Sequence, residues 1–193
     1  MSQEERHPLA LVLMHWVHLI SMGLLLLSGL YIHYVFWPGW MGTMRQIHFV
    51  TMYVLIFVIV IRGYWAILGG RDIGNFFIQK ENRGQFLEIL KYYAFIRKTH
   101  PKTAKFNPIQ KITYGFWALL LVLQASSGFS LYWPQVSFFA TLNAWVGGLV
   151  VMRMIHFLIT WVFIVTVAVH IYMGLAEDFA QFPSMVLGIK KEQ

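Results

Sequence analysis

The chain has 193 residues, 58% of them hydrophobic and 12% charged, with a mean hydropathy of +0.60 and a net charge of +7. Soluble globular chains carry about 25% charged residues, so a water-soluble domain is excluded, and the positive balance reads as membrane topology and contact with anionic headgroups, with little to support a nucleic-acid partner. There is no cysteine, which excludes disulfides, Cys-ligated iron–sulfur clusters and covalently attached haem.

In chain order, "MSQEERHPLA" mixes acidic and basic residues. The apolar run that follows is too long for a cleavable signal peptide, so the first helix is expected to stay in the mature protein. Four apolar runs, about 9–36, 47–69, 108–133 and 148–175, each reach the roughly 20 residues that a helix needs to cross a bilayer. No alternation of the β-barrel kind appears. The expectation is all-α: a single membrane domain over 1–193, built as a four-helix bundle in the lipid bilayer.

Nine of the fifteen Lys and Arg lie between Arg71 and Lys111, whereas the first connection has only Arg45 and no charge falls between Ile112 and Met152. The positive-inside rule then puts the 71–107 loop and both termini on the cytoplasmic side. Within that loop, "RGQFLEILKYYAFIRK" sets Phe86, Leu87, Leu90 and Ala94 at helical spacing between charges. It reads as an amphipathic helix on the membrane surface or against a partner. The outer segment "QVSFFATLNAWVGG" is apolar, interrupted by Asn143 and two glycines, and is expected at the outer interface.

Ionisable side chains at membrane depth are costly and point to function. His15, His18, His48, His156 and His170 fall in or at the ends of the spans, with Arg62 and Arg153. His156 and His170 are fourteen residues apart, which puts them on one helix face about 21 Å apart along the axis. Given the topology, the histidines sort into an outer pair, His48 with His156, and an inner pair, His15 or His18 with His170. Facing imidazoles on neighbouring helices suit bis-histidine haem ligation. Zinc takes four ligands in its structural sites, and neither cysteine nor an intramembrane carboxylate is at hand. Two b-type haems stacked across the membrane fit this set best.

"MRQIHF" at 44–49 and "MRMIHF" at 152–157 agree in five of six residues. Each is preceded by a Ser-Gly at a helix end, "SGLYIHYVFWP" and "SGFSLYWP", so the chain reads as two related hairpins. Gly29 and Gly128 leave backbone room for a porphyrin. Arg45 and Arg153 stand one turn outward of a histidine, where they can face a haem propionate. The fourteen-residue step from His48 reaches Arg62, and the matching step back from Gly128 reaches Tyr114. The inner site is therefore asymmetric, with Arg62 expected to face an inner propionate or a quinone.

Several stretches carry a family resemblance: "HW" at 15–16, "RQIH" at 45–48, "RGYWAILGGR" at 62–71, "FNPIQK" at 106–111 and "IHFLITWVFIVTVAVHIYMGLAED" at 155–178. Over nearly its whole length the chain resembles the b-type cytochrome subunit of membrane-bound nickel–iron hydrogenases, related to the cytochrome b subunit of formate dehydrogenases. That resemblance implies haem ligation by His15, His48, His156 and His170, with His15 preferred over His18 because the family ligand precedes Trp. It implies quinone, menaquinone or ubiquinone, beside Asn107, Gln110 and His170. The implied partners are an iron–sulfur small subunit and the catalytic large subunit of a hydrogenase-like complex, in a prokaryotic cytoplasmic membrane. Electrons would pass from the outer face to quinone near the cytoplasmic face. Competing expectations are the same cytochrome serving formate dehydrogenase or thiosulfate reductase, a stand-alone quinol oxidoreductase or superoxide scavenger, and a haem-free metal transporter or anchor.

Overall fold

A computed structural model describes residues 9–68, 85–93, 96, 97, 99 and 108–176. The described residues form helices α1 (Leu9–Tyr34), α2 (Met41–Leu68), α3 (Gln85–Tyr93), α4 (Pro108–Tyr132), α5 (Ser137–Val146) and α6 (Leu149–Ala176), with no strand among them. Four candidate spans, Leu9–Tyr34, Met41–Leu68, Lys111–Tyr132 and Leu149–Tyr172, are long and apolar enough to cross a membrane. The shortest, at 22 residues, reaches about 33 Å, enough for a hydrocarbon core of about 30 Å. The protein is thus all-α with four membrane-length helices. In hydrocarbon the helix is forced on these sequences, because every backbone N–H and C=O must find its partner within the segment.

α2 begins six residues before the apolar run does, since nothing after Pro38-Gly39 interrupts a helix. Gly39 takes φ +94° and Val35 takes φ 44°, which breaks the chain between α1 and α2. Gly147 and Gly148 take φ of +101° and +102°; their amides donate to the Ala144 and Asn143 carbonyls at 3.2 and 2.7 Å, closing α5 with left-handed glycines. The "MRxIHF" segments therefore lie inside helices, in the opening turns of α2 and α6.

The chain divides into two compact units. One takes α1, α2 as far as Gly63, and α6 from Thr160; the other runs from Tyr64 to Ile159. Large apolar side chains such as Leu27, Phe57, Leu119 and Leu158 face outward, while Ser21, Ser28, Thr51, Ser127, Ser130 and Asn143 are buried. This is the pattern of a membrane helix protein, where small and polar residues allow close helix approach and lipid solvates the rest.

In the Tyr64–Ile159 unit both short helices pack on α4. α3 completely buries Ile89, which the spacing does not single out, while Leu87 and Leu90 of the expected face are exposed and Phe86 is half-buried; Ala94 lies outside the described residues. Glu88 pairs with Lys91 at 3.7 Å and with Arg97. α5 is a regular helix, and Asn143 is what holds it. The Asn143 amide donates to the Ser130 carbonyl at 3.0 Å, while the Ser130 hydroxyl reaches Asn143 Oδ1 at 2.7 Å. Ser130 is in the last turn of α4, whose carbonyls have no partner within the helix, so the amide serves as its cap. Phe129, Trp133 and Phe139 stack beside it, with centroids 5.4 to 6.4 Å apart.

Candidate functional site

His48 stands near the start of α2 against Ser28 of α1. The Ser28 hydroxyl donates to the Leu24 carbonyl at 2.5 Å, with the Leu25 carbonyl at 3.3 Å. A serine has one proton to give, so its oxygen can only accept from the ring, and His48 Nδ1–H donates to it at 3.0 Å. His48 is thereby held as the Nδ1–H tautomer, with its lone pair on Nε2. Beside it, a Cβ on Gly29 would lie 3.3 Å from His48 Cε1.

The second unit repeats the arrangement on α4 and α6. The Ser127 hydroxyl donates to the Gln124 carbonyl at 3.0 Å and accepts from His156 Nδ1–H at 2.8 Å. A Cβ on Gly128 would lie 3.3 Å from His156 Cε1. One contact has no counterpart in the first hairpin: the Gln124 amide donates to His156 Nε2 at 3.2 Å. The equivalent position, three residues before Ser28, is Leu25.

His15, His18 and His170 belong to the first unit. His15 has a buried Nδ1 without a hydrogen-bond partner among the described residues, and it lies within electrostatic reach of His170. His18, by contrast, turns its Nδ1 back onto its own helix and donates to the Met14 carbonyl at 2.9 Å. Arg45 and Arg153 are exposed. Arg62 buries Nη1, and Tyr114 is half-buried in α4. Asn107 lies outside the described residues, as does the side chain of Gln110 in the first turn of α4.

The structure thus joins His48 to Ser28 and Gly29, His156 to Ser127 and Gly128, and brings His15 near His170. Gly29 and Gly128, expected to make room for a porphyrin, each adjoin the imidazole of their own hairpin. Sequence reasoning missed Ser28, Ser127 and Gln124. The signal was present in the doubled Ser-Gly, of which only the glycine was weighed.

An imidazole whose Nδ1–H is held by a neighbour and whose Nε2 carries the lone pair is in the form that binds a metal. His48 and His156 meet that condition, and the buried Nδ1 of His15 marks a further imidazole that its own helix does not engage. Gln124 holds His156 Nε2 only through a neutral hydrogen bond, which a metal–nitrogen bond can replace. Without cysteine, a haem in this chain would be held by coordination and packing alone. Helices of membrane length carrying imidazoles set in this way define a membrane cytochrome of the b type.

Comparison with known proteins narrows the class. Residues 6–188 match the family model described as prokaryotic cytochrome b561, and the chain belongs to that family. It is 28% identical to the "Probable Ni/Fe-hydrogenase B-type cytochrome subunit" of Rhizobium leguminosarum bv. viciae, over 89% of this chain and 80% of that protein. It is 30% identical to the "Probable Ni/Fe-hydrogenase 1 B-type cytochrome subunit" of Escherichia coli K12, over 85% and 79%. A chain of Azospira oryzae named for a protein-methionine-sulfoxide reductase subunit, YedZ1, is 27% identical over 86% and 88%.

Proposed function

We propose that the protein is the di-haem cytochrome b subunit of a membrane-bound nickel–iron hydrogenase. In this role it carries electrons between an iron–sulfur subunit on the outer face and quinone near the cytoplasmic face. The observation that carries the proposal is the doubled arrangement: two histidines, each with Nδ1 held by a buried serine, in a chain of the cytochrome b561 family. Bound haem supplies one-electron redox chemistry.

The chain's residues divide the remaining work. His48 and His156 would hold the outer haem and His15 and His170 the inner one; these pairings rest on the sequence repeat and topology. Four imidazoles, two for each haem, would suit the chain to passing electrons. Arg45 and Arg153 would pair with outer propionates as charge-assisted donors. Arg62 would face an inner propionate or the quinone. Asn107 and Gln110, a motif at the start of the third span, would hydrogen-bond the quinone, and protons taken up from the cytoplasm on its reduction would make turnover separate charge.

Haem per purified chain tests the proposal, and two is the expected value. A chain that folds and binds no haem would end it. In proteoliposomes, turnover with quinone should build a membrane potential; turnover without one would remove the charge-separating part. The relative named for a sulfoxide reductase favours a second reading, in which the same cytochrome serves another oxidoreductase. Co-purification of a hydrogenase small subunit separates the two.

A further inference from the structure

We propose that Ser28 and Ser127 are positioning residues: each fixes the histidine of its own hairpin as the Nδ1–H tautomer and so presents Nε2 to the haem iron. This rests on the reading that His48 and His156 are outer-haem ligands. A buried serine in a membrane helix commonly does no more than donate to its own backbone. Here that donation is what gives the serine its further role. With its proton committed to Leu24 or Gln124, the oxygen has only lone pairs to offer, and it offers them to Nδ1 at 3.0 and 2.8 Å. Both serines are buried, at 1% and 4% exposure, so water does not compete for the ring nitrogen.

The neighbouring glycine completes the device. In each hairpin the residue after the serine lacks the Cβ that would press on Cε1 at 3.3 Å, so the ring can come close enough to donate. Serine and glycine therefore act as a pair, one orienting the imidazole and the other admitting it. A histidine whose Nδ1–H leans on an acceptor is also a more basic ligand through Nε2. That favours the oxidised iron and lowers the potential of the outer haem. The inner His15, whose Nδ1 has no partner among the described residues, lacks this support, so the serine device separates the two haems chemically.

The test uses the full chain in detergent, with and without added haem, in the wild type and in Ser28→Ala, Ser127→Ala, the double variant, and Ser→Thr at both positions. Nitrogen NMR of ¹⁵N-histidine protein prepared without haem should show His48 and His156 protonated at Nδ1, alongside His18, and each alanine should shift the histidine of its own hairpin towards a tautomer mixture. On haem titration each alanine should weaken one of the two binding steps by about 10-fold and raise that haem's midpoint potential. Threonine, which keeps the hydroxyl, should restore both. Protonation of His48 and His156 at Nε2 in the wild type would overturn the proposal even if the alanine variants fail to fold. So would alanine variants with wild-type tautomers, affinity and potential. A wild-type chain that binds no haem would instead defeat the proposed function, while the tautomer measurement would still decide the serines.

Discussion

Gly128 stands so close to His156 that a Cβ at that position would lie 3.3 Å from the ring's Cε1, and Gly29 bears the same 3.3 Å relation to His48. Each ring is held from one side by a serine, so it cannot move away without stretching that hydrogen bond.

Alanine at either glycine should therefore separate stability from site chemistry. Replacing glycine inside a helix gains about 1 kcal/mol, while displacing the packed ring costs about 1–3 kcal/mol. The variants should stay helical, with thermal stability changed by no more than about 2 kcal/mol. One haem should nevertheless bind more weakly, with a shifted Soret band. Circular dichroism and haem titration on the same samples check both halves.

Gln124→Leu gives the second hairpin the residue that the first has at Leu25. It removes the amide that occupies His156 Nε2 at 3.2 Å. A neutral hydrogen bond is worth about 0.5–1.5 kcal/mol, so haem uptake by the outer site should tighten by roughly 2- to 12-fold. Titration of haem-free chain reads this directly. Weaker uptake would mean that the amide helps to hold the haem.

Single alanine substitutions at His48, His156, His15 and His170 should each lower haem from two per chain to one, the first two removing one spectral species and the last two the other. His18→Ala should leave both, because that ring is occupied with the Met14 carbonyl. Pyridine haemochrome assay per chain makes the count, and loss of a haem in the His18 variant would reassign the inner ligand.

Arg62→Gln removes a cation whose Nη1 is buried. If that charge faces an inner propionate or the quinone, the inner-haem potential should fall by on the order of tens of millivolts. Quinone turnover should drop with it. Unchanged potential and turnover would leave Arg62 as an interfacial anchor.

Asn143→Leu keeps the apolar volume of α5 but strips the cap from the last turn of α4. Leaving buried Ser130 groups without partners costs about 1–3 kcal/mol. Hydrogen exchange should rise across α5 and the end of α4, while haem content stays at two per chain.

The fold was legible because hydrocarbon leaves a long apolar run only one conformation, and the four spans begin and end within a few residues of the apolar runs. The start of α2 was the main exception: "WMGTMRQ" is not apolar enough to register as membrane, yet nothing in it breaks a helix. α5 was less legible, since a lone Asn in an apolar segment looks like an interruption. Its partner, Ser130, is thirteen residues away on another helix, and spacing within one helix cannot reveal such a pair. At the site, the histidines and glycines stood out by rarity and by repetition. The serines did not, because their role depends on where a single hydroxyl proton goes. Gln124 was invisible for a different reason: it stands where the first hairpin has Leu25, and a repeat directs attention to what the copies share.

The self-contained support of each histidine has a consequence for biogenesis. Ser28, Gly29 and His48 all lie in the first hairpin, and Ser127, Gly128 and His156 all lie in the second. Neither ring needs the other half of the protein to settle its orientation. As the ribosome delivers the chain, the first imidazole can be set before the second hairpin has been synthesised, and the second can follow on its own. Capture of a cofactor can then come late in assembly, meeting imidazoles that each hairpin has already prepared.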